Sequence, residues 1–246
     1  MAYIELDVYS ESLEMSTTVS ILLPNKINKK LDTLYLLHGY RGYHFDWVKN
    51  TRLAKYAEDL NLLIVMPEVN NSYYVNMDRG LDYYTYISKE LPLIIDSMFN
   101  TNKTRYIAGL SMGGYGAFMI AAKNPKLFKK AISLSGSLDI NSVYQIVKEQ
   151  DKKDYFSAVF GNTKTKMKKH DLYDIFLKLT KQKIKPEFYM VCGTEDFLYK
   201  DNEKFYDYIV ELGFDCYYET EAGEHNWEFW DKHIKKALDW LNIPEI

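Results

Sequence analysis

The sequence predicts an α/β protein, a mostly parallel twisted sheet with helices on both faces, folded as one domain over residues 1–246. Three observations carry this expectation. Short apolar runs of strand length alternate with longer stretches in which apolar residues recur every three or four positions. Glycine-containing turns, at His38-Gly39 and from Gly109 to Gly114, sit where one pattern gives way to the other. The chain has 246 residues, 47% of them hydrophobic, which is enough to bury one substantial core.

Taken in order, Tyr3 to Tyr9 and Thr17 to Leu23 have strand character, and Pro24-Asn25-Lys26 makes a turn after them. They suit an antiparallel edge of a larger sheet. Leu34 to Leu37 is a buried strand, and an amphipathic segment from about Asp46 to Leu60 follows as a helix. Leu62 to Met66 is the next strand and Tyr83 to Phe99 the next helical stripe, in which Pro92 removes an amide hydrogen and predicts a kink. Tyr106 to Leu110 is a strand; Tyr115, Phe118, Met119 and Ala122 mark one face of the helix after it. Beyond the buried strand Ala131 to Leu134 the alternation is lost between Asp139 and Lys185, which reads as a cap-like helical insertion. The pattern resumes with strand Phe188 to Cys192, a helix near Asn202 to Leu212 and strand Asp215 to Thr220. A last helix carries Trp230, Ile234, Ala237, Leu238 and Leu241.

Composition removes several classes of function. A formal charge of −3 leaves no excess basic field for phosphate backbones, so nucleic acid is not expected as a partner. Met1 to Ser16 carries Glu5, Asp7, Glu11 and Glu14 and lacks the basic start and apolar stretch of a secretory signal, so a cytoplasmic location is expected. The longest apolar run, Leu62 to Pro67, is far short of the roughly 20 residues that span a bilayer. Cys192 and Cys216 form no CxxC pair and read as small apolar residues on strands. Lys164 to His170 reads as a solvated charged face. There is no HExxH, no Walker loop and no GxGxxG after the first strand, so no metal and no cofactor is expected. No membrane partner is expected either, and self-association as a homo-oligomer is left open.

Chemistry concentrates at Gly109-Leu110-Ser111-Met112-Gly113, placed where a strand gives way to a helix. A turn that sharp needs glycine two residues on either side of the serine, and it thrusts the hydroxyl above the sheet. A serine hydroxyl is a poor nucleophile near neutral pH, so it needs a base and a third group that fixes the base's tautomer. The segment resembles the nucleophile elbow of the α/β-hydrolase fold, in which serine, acid and histidine follow in that chain order. His225 stands directly after the last strand, in Ala222-Gly223-Glu224-His225-Asn226-Trp227, whereas His233 falls inside the last helix. His225 is the expected base. The acid should follow the strand Phe188 to Cys192, where Glu195 and Asp196 are adjacent. Two backbone donors are needed for the oxyanion: Met112 after the serine, and Tyr40 in His38-Gly39-Tyr40-Arg41-Gly42. His38 is read as structural, and His44 and His170 as surface residues.

Taken together, these residues resemble the esterase D-like branch of the α/β hydrolases, and within it the bacterial tributyrin esterases. The resemblance covers nearly the whole chain. It rests on Leu36-Leu37-His38-Gly39, Val65-Met66-Pro67, Glu90-Leu91-Pro92 and Ala108 to Gly116. It rests also on Cys192-Gly193-Thr194-Glu195-Asp196-Phe197-Leu198 and on His225 to Trp230. It implies a triad of Ser111, Asp196 and His225, with Tyr40 and Met112 as oxyanion donors, and selects Asp196 over Glu195. It further implies a carboxylesterase for short-chain acyl esters. Formylglutathione hydrolases, feruloyl and acetyl-sugar esterases and mycolyl transferases share the fold, which cannot choose among them. The formylglutathione enzymes usually carry Gly-His-Ser at the elbow, where Leu110 stands here. A binding protein on the same scaffold would be expected only if a triad position were replaced, and none is. Tyr73, Tyr74, Tyr83 and Tyr84 fall near the expected active-site face, either to stack on a substrate ring or to pack.

Overall fold

Side-chain alternation along the central strands divides the apolar residues into two cores, one on each side of a single sheet. In the computed structural model, which describes Met1–Ile246, β3 (Leu31–Leu37) turns Tyr35 and Leu37 to one face and Leu34 and Leu36 to the other. β4 (Leu62–Pro67) and β5 (Thr101–Leu110) do the same, with Val65 and Ile107 on the first face and Ile64 and Ala108 on the second. Burial on both faces is why these strands read as continuous apolar runs. With β1 (Ala2–Ser10), β2 (Met15–Leu23), β6 (Lys130–Leu134), β7 (Glu187–Gly193) and β8 (Cys216–Glu221), the order is β1-β2-β4-β3-β5-β6-β7-β8. β2 runs antiparallel to both β1 and β4, and every other pair is parallel, so the antiparallel edge and the α/β class are borne out.

Helices cover both faces. The first carries α4 (Leu91–Met98), α5 (Met112–Lys123), α9 (Leu172–Leu179) and α10 (Tyr199–Glu211). The second carries α1 (Asp46–Asn50), α2 (Leu53–Tyr56) and α11 (Trp227–Leu241). No helix is long and apolar enough to cross a membrane.

Three expectations need correction. The single helix from Asp46 to Leu60 is two short ones, because Thr51 is extended (φ −136°, ψ 168°) and Arg52 is drawn to Asp231 of α11. Asp231 Oδ1 accepts from the Arg52 amide at 2.7 Å, and its other oxygen from the guanidinium. The kink expected at Pro92 is absorbed one turn earlier. The helix that starts with α3 (Tyr83–Thr85) widens into a π turn over Tyr86–Glu90 and runs on without a break into α4, whose second residue is the proline. Residues 139–185 do hold extra helices, α6 (Ile140–Glu149), α7 (Lys153–Phe160) and α8 (Lys164–Lys168). The boundary at Lys185 lies too far along, however: in α9, Phe176 packs 5.9 Å from Phe118 and 4.9 Å from Phe188, within the layer against the sheet.

Candidate active site

The parallel strands end on one side of the sheet, and the loops that follow β3, β5, β7 and β8 bring the candidate residues together. Ser111 joins β5 to α5 at φ 52°, ψ −116°, a strained conformation held by its surroundings. Its amide donates to Leu134 O at 2.9 Å, and its carbonyl accepts from Ser137 N and Tyr115 N, both at 3.1 Å. The flanking glycines are required by contact. A Cβ on Gly109 would meet the backbone of Gly113, and one on Gly113 the carbonyl oxygens of Leu37 and His38.

Asp196, with its side chain fully buried, sits in the turn after β7. Its Oδ1 accepts from Leu198 N at 2.9 Å and its Oδ2 meets His225 Nδ1 at 2.8 Å. A carboxylate only accepts, so Nδ1 is the donor, which in a neutral ring leaves the lone pair on Nε2. Glu195 faces elsewhere: its carboxylate accepts from the Gly223 amide, which holds the carboxyl below the usual range. Asn226 caps α11, accepting from Phe229 N at 3.0 Å, and so fixes the residue just after His225. His233 is fully buried within α11 with Nε2 2.9 Å from Glu221. No hydrogen bond joins the Ser111 hydroxyl to His225; the two share the walls of two adjoining cavities.

One cavity, about 390 Å³, is the more polar of the two and lies between the Gly39–Gly42 turn and Trp227 and Trp230, with Asp46 and Asn226 on its walls. The other, about 310 Å³, is walled by Val143, Ile146 and Val147 of α6 and by Phe197 and Tyr73. Tyr40 and Ser111 border both. Met112 is the first residue of α5, so its amide is one of the donors that no helical carbonyl can satisfy. Tyr40 and Arg41 are the central residues of a β-turn closed by Gly42 N to Gly39 O at 3.0 Å, with Arg41 at φ 64°. A negative φ at the first central residue and a positive one at the second define type II.

His38 is buried behind that turn. A carbonyl only accepts, so Nδ1 donates to Gly39 O at 2.8 Å, and Nε2 accepts from Val69 N at 3.3 Å. Both ring nitrogens are engaged, in keeping with its structural reading. Tyr74 is fully buried with its hydroxyl donating to His38 O at 2.8 Å; Tyr83 accepts from Asn70 and Tyr84 from Asn124. Of the four tyrosines only Tyr73 faces the cavities beside Ser111. His44 and His170 are partly buried at the surface rather than freely exposed. His44 Nδ1 lies 2.8 Å from Ser20 Oγ, and His170 is half-buried, edge-on to Phe160 at 5.5 Å, with Nδ1 unpartnered. Both cysteines are buried on strands, and burial pushes their thiols up, Cys216 to about 12.

Sequence reasoning passed over Asn71, whose Oδ1 accepts from the Arg41 amide at 2.6 Å, and over the rings that flank His225, Phe197 and Trp230. A pair of asparagines after a strand marks a turn and little else. One cluster has ligand-like spacing for a metal, Glu219, Glu221 and His233. Lys232 and Lys236 lie against its carboxylates and already supply the counter-charge.

A family model described as a putative esterase matches residues 10–241. An acetyl esterase of Caldicellulosiruptor saccharolyticus is 32% identical, over 98% of this chain and 98% of its own length. Among solved structures, the fluorophosphonate-binding serine hydrolase FphF of Staphylococcus aureus superposes with a TM-score of 0.89 at 32% identity, over 97% of each chain. The S-formylglutathione hydrolase FrmB of the same organism gives 0.84 at 31%, over 97% of this chain and 98% of its own. This chain is therefore a member of the putative esterase family, a serine carboxylic ester hydrolase of the α/β-hydrolase fold.

Proposed function

We propose that Ser111, His225 and Asp196 form the catalytic triad of a carboxylesterase for short-chain acyl esters, with the amides of Tyr40 and Met112 as oxyanion donors. The observation that carries this reading is the 2.8 Å contact between Asp196 Oδ2 and His225 Nδ1, made beside a serine on a strained elbow that lines the same cavities. His225 Nε2 takes the proton of Ser111 as its oxygen attacks the ester carbonyl. The tetrahedral oxyanion is held by the two amides, and His225 returns the proton to the departing alcohol. Water, deprotonated by the same histidine, then releases the acid from the acyl-serine.

The apolar cavity beside α6 suits the acyl chain, and the polar one beside Asp46, Asn226 and Trp227 suits the alcohol. At about 310 Å³ the apolar cavity has room for a short chain. A fluorophosphonate probe tests the nucleophile: peptide mapping should find the adduct on Ser111. An unmodified Ser111 in folded, active protein refutes the assignment.

A second reading, a thioesterase acting on S-formylglutathione, is favoured by the 31% identity to an S-formylglutathione hydrolase. Side-by-side kcat/KM values for 4-nitrophenyl acetate, an acetylated sugar and S-formylglutathione separate the readings. A preference for the thioester by orders of magnitude selects the second.

A further inference from the structure

One side chain that borders both cavities stands where a side chain is costly. The second central position of a type II turn asks for glycine, and Arg41 holds it at φ 64°. A Cβ is crowded at such a φ, and strain of this kind concentrates at ligand sites. Asn71 fixes the backbone there, its Oδ1 accepting from the Arg41 amide at 2.6 Å. The guanidinium lies over the Tyr40 ring, 5.6 Å from its centroid, and the Lys152 ammonium lies 5.6 Å from the same centroid. Neither cation is in an ion pair. Lys152 donates to Gln150 Oε1 at 3.0 Å, so the amide nitrogen of Gln150 is left as its donor at the cavity wall.

The two cavities differ in what accompanies Arg41. In the more polar one Asp46 is on the walls, so an anion there meets a carboxylate as well as the guanidinium. No carboxylate lines the apolar one, where Arg41 and Gln150 share the walls with the apolar side chains of α6. Resting on the assignment of this cavity to the acyl chain, we propose that Arg41, supported by Lys152, is a specificity-determining residue for esters whose acyl chain ends in a carboxylate, such as succinyl and glutaryl half-esters. The methylenes of such a chain lie along α6, and its terminal carboxylate pairs with the guanidinium. Hydrolysis of the half-ester by water gives the alcohol, the dicarboxylate and one proton.

The test compares kcat/KM, followed by proton release, for monoethyl succinate and monoethyl glutarate with that for the corresponding ω-amides, ethyl succinamate and ethyl glutaramate. Each pair matches in shape and differs in charge, so the ratio within a pair cancels any general change in activity. For the wild-type enzyme in about 20 mM salt, at least one acid should exceed its amide by about threefold or more, and the ratio should shrink in about 0.5 M salt, which screens a pair at the cavity rim. Arg41→Gln should bring the ratio to about one, Arg41→Glu should invert it, and Lys152→Gln should lower it by a smaller factor. If Arg41→Gln does not fold by circular dichroism, Arg41→Gly takes its place, since glycine adopts a positive φ without strain. A wild-type ratio at or below one for both pairs, or a ratio that Arg41→Gln leaves unchanged, would overturn the proposal. So would a preference for the anion that appears only on the alcohol side, read from 3-acetoxypropanoate against 3-acetoxypropanamide. Fluorophosphonate mapping of the wild-type enzyme is run alongside. A modified Ser111 with no charge preference removes only the role of Arg41, whereas an unmodified Ser111 removes both readings.

Discussion

Trp230 stands edge-on to His225, ring centroids 4.9 Å apart and planes at 87°, and its indole N–H donates to Ser135 Oγ at 3.2 Å. Phe197 packs on the same imidazole at 4.6 Å. The orientation of His225 is therefore set by ring packing as well as by Asp196. Trp230→Ala should destabilise the protein by about 3–5 kcal/mol, the usual cost of emptying a buried aromatic site, and lower kcat as the imidazole loosens. Urea unfolding and steady-state kinetics measure the two effects. Trp230→Phe, which keeps a ring against His225, should retain most of kcat.

Ser111→Ala and His225→Ala are each expected to lower kcat by at least roughly 10⁴-fold, because the members of a triad act as a unit. Asp196→Asn should also be severe, since an amide no longer fixes the tautomer of His225. Glu195→Gln should be mild, its carboxylate being turned to Gly223. More than a tenth of wild-type activity in purified Ser111→Ala, or greater damage from Glu195→Gln than from Asp196→Asn, contradicts the assignment.

Acyl preference should rise and then collapse with chain length. Each methylene buried against Val143, Ile146 and Val147 contributes roughly 0.8 kcal/mol until the cavity ends, after which further methylenes stay in water or clash. Among 4-nitrophenyl acetate, butyrate, octanoate and palmitate, one of the first two should show the highest kcat/KM. Ile146→Ala should shift the optimum to longer chains; an unmoved optimum would mean that the acyl group sits elsewhere.

Stability should fall on acidification through a specific histidine. Burial, with Lys123 and Lys169 beside it, pushes His170 down to about 4, against about 6.5 in an unfolded chain. Between those values the unfolded chain binds a proton that the folded one refuses, so the stabilisation present above about pH 6.5 is lost progressively as pH drops toward 4. His233, lowered by burial in α11, acts in the same direction. Urea midpoints at pH 7 and pH 5 should differ less in His170→Gln than in wild type; an identical difference would refute this origin.

The elements legible in the sequence are those whose signal is local. Gly109, Ser111 and Gly113 declare the elbow within five residues because Gly109 presses directly on the backbone of Gly113 across the turn. Leu34 to Leu37 and Leu62 to Met66 declare parallel strands because both faces are buried. Features set by distant partners were not legible. The break at Thr51 depends on Asp231, 179 positions downstream of Arg52, and no periodicity within residues 46–60 encodes it. His170 reads as polar among lysines and becomes half-buried only when Phe160 packs against it. Asn71 is invisible for the same reason: its partner amide belongs to a loop 30 residues earlier.

Every residue of α5 from Met112 to Ala122 is buried, so the helix that begins at the nucleophile is enclosed on all sides. Its amides should exchange with solvent only through global opening, and Ser111 cannot leave its strained elbow while the sheet around it stands. The walls contributed by α6 answer to a smaller set of contacts at the rim of the fold. Partial denaturation should therefore reach the acyl-cavity walls of α6 before it reaches the nucleophile.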